Sequence, residues 1–243
     1  MRRALFRAFW SLAGLAASGP ALSYGTQFIL APPPLGHPVY RDGQVQYRVS
    51  GGLRGYSSEE TDLTGATLSL SRRQALSDRL AFNLGGQADY LSGTDRIFSD
   101  DNDLTVWQTM LHLTGEVQHR FAPGWNAIFF AGPKGGYGEY RVEYGERLEG
   151  RETLYGYVVG VQSSVRVDSL RVTPFLSYEA LESRRNEDFS TGTSRAIDRT
   201  HRITQYGLEV LFRSGLTLGV TRQHWSSGSE EARYTFYQAG YQF

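Results

Sequence analysis

The chain has 243 residues, with 25 basic and 25 acidic side chains and no cysteine. Balanced charge excludes an overall field pulling it towards nucleic acid or an anionic surface. The missing cysteine excludes a disulfide framework, a Cys-ligated zinc site and a thiol nucleophile, and the length fits one sizeable domain.

The first residues read as an export signal over 1–23. Arg2, Arg3 and Arg7 form a positive start, and an apolar stretch from Ala8 to Leu15 contains Phe9 and Trp10. Ala21-Leu22-Ser23 then sets small side chains at the two positions a signal peptidase reads. The apolar run falls short of the about 20 residues a membrane-crossing helix needs. Residues 24–43 are expected to be irregular, because Pro32-Pro33-Pro34 and Pro38 rule out a helix interior or a central strand.

Residues 44–243 repeat one theme: about ten apolar–polar alternating residues, then a break. Val45, Tyr47, Val49 and Leu53 alternate with Gln46, Arg48, Ser50 and Arg54 in the first run. Leu80, Phe82, Leu84, Ala88 and Tyr90 set the phase of the third, and Trp107, Thr109, Leu111, Leu113 and Val117 that of the fourth. Ten such runs are predicted, near 44–56, 62–73, 79–91, 104–119, 126–144, 153–167, 170–182, 201–213, 216–225 and 234–243. Eight and twelve are the alternatives. Gly132-Pro133-Lys134-Gly135-Gly136 interrupts the fifth run and reads as a kink or bulge, since 127–132 alone is too short to span. The breaks themselves alternate. Polar connections at 57–62, 92–103, 145–152, 183–200 and 226–233 are longer than turns such as Pro123-Gly124, Asp168-Ser169 and Ser214-Gly215. That sorting fits an all-β, antiparallel up-and-down barrel with both termini on one side.

The chain ends Tyr237-Gln238-Ala239-Gly240-Tyr241-Gln242-Phe243. A terminal phenylalanine, an aromatic two residues earlier and a glycine before it resemble the last strand of Gram-negative outer-membrane β-barrels. The resemblance implies residence in the outer membrane, with the 24–43 segment, both termini and the tight turns in the periplasm and the longer loops extracellular, and contact with the membrane's lipids and lipopolysaccharide. It also implies that Gly240, Tyr241 and Phe243 are read by the barrel-assembly machinery. Hydrocarbon leaves no backbone group unpaired, so strands can cross only as a closed sheet, apolar outside and polar inside. Tyr56, Tyr90, Trp107, Trp125, Tyr144, Tyr155 and Trp225 then suit two interfacial belts.

Charged positions assigned inward are Arg48, Arg54, Arg79, Asp89, His112, Glu116, Glu139, Arg141, Arg166, Arg171, Glu179, Glu209 and Arg213. Interspersed signs favour mutual pairing inside a filled lumen, hence a non-enzymatic surface or structural barrel. A narrow porin-like channel for small solutes is the alternative, although a selective pore would tend to one sign. His224-Trp225-Ser226 is similar to the His-x-Ser of lipid A deacylases, which implies an esterase with His224 as base, Ser226 as nucleophile and Glu230 or Glu231 as orienting acid. That family's asparagine after the serine is Ser227 here. Arg222 and His224 read instead as contacts to lipopolysaccharide phosphates. Asp100, Asp101, Asp103 and His201 supply the residue types of omptin-type proteases without a motif. No metal site, cofactor or nucleic-acid partner is assigned.

Overall fold

The computed structural model describes residues 42–57, 61–97, 100–144, 146–190, 192–228 and 230–243. The expected signal peptide, and the proline-rich segment as far as residue 41, lie outside the described residues. Ten strands follow: β1 (Val45–Ser57), β2 (Thr61–Ala75), β3 (Leu80–Ile97), β4 (Asp100–Ala122), β5 (Trp125–Tyr144), β6 (Glu146–Val167), β7 (Leu170–Phe189), β8 (Ser194–Phe212), β9 (Leu216–Ser227) and β10 (Glu230–Gln242). Each pairs antiparallel with its sequence neighbours, and β1 pairs with β10 to close the barrel. No helix among the described residues is long and apolar enough to cross a membrane.

Closure fixes side-chain phase. Even residues of β4 from Asn102 to Gln118 and odd residues of β7 from Thr173 to Glu187 point inward and are buried, while their neighbours point out. The outward set forms an apolar band: Leu68 and Leu70, Leu84, Leu111 and Leu113, Phe129, Val159, Leu176, Leu208, Leu218 and Val220 are among its exposed members. A continuous apolar belt around a whole barrel far exceeds the patches soluble monomers expose. Exposed Tyr90, Trp107, Tyr155, Tyr157, Tyr178, Tyr206 and Tyr237 rim the band towards the end away from the termini. Tyr47, Phe121, Trp125, Tyr241 and Phe243 rim it at the termini end.

Beyond the upper rim the polarity inverts. Outward positions there are Thr94, Asp103, Arg141, Glu143, Arg151, Glu182, Arg184 and Arg202, all exposed. Inward positions hold one apolar cluster of Leu63, Leu91, Leu104, Val106, Met110, Tyr140, Val142, Leu148, Leu154, Leu181, Ile203, Trp225, Tyr234 and Phe236. The strands therefore run on where long connections were expected: β3 reaches Ile97, β4 starts at Asp100, β7 reaches Phe189 and β8 starts at Ser194. Paired backbone satisfies its own hydrogen bonds in water as well as in hydrocarbon, so nothing forces the sheet to stop at the band. Turns at the termini end are tight, with Gly124 (φ 87°), Gly215 (φ 92°) and Asp168 (φ 52°) in the left-handed region such turns require.

β5 is one strand, and its register against β4 and β6 does not shift across Gly132–Gly136. Only the β4 ladder is interrupted opposite Pro133, which has no N–H to donate. The irregularity lies instead between Arg120 and Ala122, beside the turn. The seam is tied at the last residue. The Phe243 N–H donates to the Tyr47 carbonyl at 3.0 Å, the Tyr47 N–H donates back at 2.8 Å, and the two rings stack with centroids 6.0 Å apart. Gly240 faces inward, where a Cβ would come within 2.5 Å of the Ser50 Cβ and 2.9 Å of the Thr217 hydroxyl oxygen.

Candidate functional site

Two surfaces could carry function, the lumen and the outward rim. Inside, charges are matched across strands that do not hydrogen-bond to one another. Arg48 on β1 pairs with Glu209 on β8, and Arg73 on β2 with Glu116 on β4. Lys134 on β5 donates to both carboxylate oxygens of Glu179 on β7, at 2.8 and 2.9 Å, and the Gln205 amide donates to the same group. Asp89 accepts from the Gln87 amide at 2.6 and 2.7 Å and from Gln108 at 2.8 Å. Burying an ion costs several kcal/mol on its own, roughly, which only a close partner and further hydrogen bonds offset. Bulky inward side chains lie over inward glycines: Phe130 faces Gly160, Phe175 faces Gly207 and His112 faces Gly85.

Nearer the far end, Arg185 donates to Glu187 at 2.9 Å, Tyr140 donates to the same carboxylate oxygen at 2.7 Å, and Glu152 lies 3.9 Å from the guanidinium. His201, Ser183 and Glu152 meet beside them, all buried. The set has the residue types of a hydrolase triad but not its wiring. The Trp225 indole N–H can only donate, and it lies 3.2 Å from His201 Nδ1, so that nitrogen accepts and Nε2 carries the hydrogen. Nε2 faces both the Ser183 hydroxyl at 2.7 Å and Glu152 at 3.6 Å. A base needs its free nitrogen on the serine and its N–H on the acid; here the N–H side faces both.

Several sequence assignments change. Glu139 and Arg141 are exposed on the outward face, because β5 keeps its phase through the glycines and its even residues stay inside. Arg79, Arg166 and Arg213 are exposed near turns, Arg171 is half-buried, and the Arg54 side chain lies outside the described ones. Trp225, expected in an interfacial belt, is buried inside on the phase of Thr221 and Gln223; the side chains of Tyr56 and Tyr144 are outside those described. Arg48, Asp89, His112, Glu116, Glu179 and Glu209 are buried inside as expected. Arg73, Lys134, Glu152, Arg185 and Glu187 were missed, and His201, named only as a residue type shared with omptin-type proteases, is buried inside. Strict parity from Phe130 to Tyr140 finds Lys134, and parity carried past Leu181 finds Arg185 and Glu187.

The rim candidates point outward. Arg222 and His224 are exposed and Ser226 is half-buried. His224 Nε2 lies 3.5 Å from Glu231, and among the described residues no hydrogen bond joins His224 to Ser226. The Glu230 side chain is outside those described. Asp103 is exposed on the outer wall while His201 is buried inside, so the structure does not bring that pair together; the side chains of Asp100 and Asp101 are outside those described. A polar groove of about 390 Å³ on the outer wall is lined by residues including Ser92, Thr94, Asp103, Thr105, Arg141 and Glu143. Among the described residues no three acidic or histidine side chains gather as metal ligands.

No protein-family model and no curated protein matches the sequence. Among solved structures, the outer-membrane protease OmpT from Escherichia coli aligns over 82% of this chain and 96% of its own, with a TM-score of 0.56 at 9% identity. The translocator domain of the autotransporter NalP from Neisseria meningitidis aligns over 98% of this chain and 96% of its own, with a TM-score of 0.49 at 13% identity. Identities this low relate folds and not activities. The chain has the fold of an outer-membrane β-barrel, in a closed ten-stranded antiparallel form.

Proposed function

We propose that this protein is an integral barrel of the Gram-negative outer membrane whose lumen is closed, and that it serves as a non-enzymatic surface or structural element. One observation carries the reading. Arg48–Glu209, Arg73–Glu116 and Lys134–Glu179 form buried inward pairs, and above them an apolar cluster occupies the far half together with the buried Arg185–Glu187 pair. A conducting pore needs exposed polar lining, whereas these inward groups are buried. Lipids and lipopolysaccharide surround the apolar band, and the assembly machinery reads the strand ending in Tyr241 and Phe243. Planar-bilayer recording of the refolded protein tests the closed lumen. No steady conductance is the expected result; stable single-channel steps overturn the reading in favour of a narrow channel.

A further inference from the structure

The outward rim differs from one sector to another. On β5–β7 carboxylates outnumber cations among the described outward side chains: Arg141 pairs with Glu149 at 3.1 Å, Arg151 with Glu139 at 3.7 Å, the Tyr155 hydroxyl donates to Glu182 at 2.8 Å, and Arg184 shares the wall with Glu143 and Glu182. On β8–β10 the outward positions at and beyond the tyrosines hold Arg202, Arg222 and Arg233, all exposed. Among the described residues none of the three has a carboxylate partner, and the adjacent Glu231 is occupied by His224. Register sets them on one face. Arg222 lies opposite Tyr206 on β8 and Thr235 on β10, Arg233 lies opposite His224, and Arg202 lies opposite Ser226. Arg222 and Arg233 are thus diagonal same-face neighbours, about 7–8 Å apart, and Arg202 stands diagonal to His224 further along the wall, so three long side chains can converge on one doubly phosphorylated headgroup. Tyr178, Tyr206 and Tyr237 fix the depth, since exposed rings of this kind mark the boundary between hydrocarbon and headgroups.

We infer that Arg202, Arg222 and Arg233, flanked by the hydroxyls of Thr204, Ser226 and Thr235, form a binding site for a phosphorylated glycolipid headgroup in the outer leaflet. The inference rests on the outer-membrane reading above and extends it from a general lipid contact to one sector with a defined ligand chemistry. Three guanidiniums supply fork-shaped donors that match phosphate oxygens, and the β5–β7 sector has no positive surplus to offer. Arg202 and Arg233 complete what Arg222 and His224 alone suggested.

Native mass spectrometry of the full chain, refolded in zwitterionic micelles and titrated with diphosphoryl lipid A, tests the site. The triple variant Arg202→Gln/Arg222→Gln/Arg233→Gln is expected to weaken binding by about tenfold or more, while Arg141→Gln/Arg151→Gln stays within about twofold. Heat-modifiable mobility verifies that each variant is folded, and triple Arg→Lys replacement is expected to restore binding only in part. Equal losses in both sectors, undiminished binding by the triple variant, or equal binding of dephosphorylated lipid A overturns the inference. Displacement by millimolar inorganic phosphate also overturns it, in favour of a free-anion site. Bilayer conductance tests the closed lumen separately, so either reading can fail without the other.

Discussion

The two halves of the barrel wall are built from the same ten strands with opposite polarity. Along β4, Leu111, Leu113 and Val117 face out in the half near the termini while His112, Thr114 and Glu116 face in. Further along the same strand, Asp103 and Thr105 face out while Leu104 and Val106 face in. A backbone with all its hydrogen bonds closed is indifferent to solvent, so side chains alone adapt each half to its surroundings. The half near the termini is built for an apolar exterior. The far half follows the rule of a water-soluble barrel, with its own apolar core.

Four substitutions, one on each face of each half, test this contrast. The largest effect belongs inside the half near the termini. Glu179→Ala strands the Lys134 ammonium, which is 3% exposed, without its carboxylate. Loss of one partner of a buried pair costs about 3–5 kcal/mol. Urea unfolding from bilayers should report a loss of that size, and the double change Lys134→Met/Glu179→Leu should recover most of it. A small loss in the single variant would mean that water reaches the pair.

Inside the far half, Leu104→Ala removes a side chain that is 1% exposed in the apolar cluster. A cost of about 3 kcal/mol is expected from lost transfer energy plus the cavity left behind. On the outside of the half near the termini, Leu111→Arg is expected to cost about 2–3 kcal/mol in a bilayer, as cations on the lipid face of barrels do. Tolerance of that arginine would show that the band does not lie in hydrocarbon.

The number of strands was legible because two solvents enforce strict alternation where the band lies: predicted runs 44–56, 126–144 and 216–225 became β1, β5 and β9 with ends shifted by two residues or fewer. The far extensions were not legible. There Leu104, Val106, Val142 and Leu148 put apolar residues on the inner phase, so a reader following apolar-out alternation sees the pattern break and assigns a loop. The glycine-rich centre of β5 did similar damage, since doubt about its phase sent Glu139 and Arg141 to the wrong face and hid Lys134. The rim was legible in part: Arg222 and His224 follow from the phase of Leu218 and Val220, whereas the placing of Arg202 and Arg233 beside them needs the register of three strands.

The smallest effect is expected outside the far half. Arg141 pairs with Glu149 at 3.1 Å, but the two side chains are 51% and 39% exposed. Water screens such a pair, and holding two long side chains in one geometry opposes what attraction remains, so exposed pairs contribute about 0–1 kcal/mol. Arg141→Ala should therefore change stability by less than about 0.5 kcal/mol. Wild type should likewise respond little as salt rises from low to molar ionic strength, where screening acts within a few ångströms. Equilibrium unfolding of both proteins at two salt concentrations reads this directly. A loss of several kcal/mol for Arg141→Ala would place the guanidinium in a poorly hydrated setting, as at Lys134. The far half would then not be standing in water, and the inversion of polarity would need another cause.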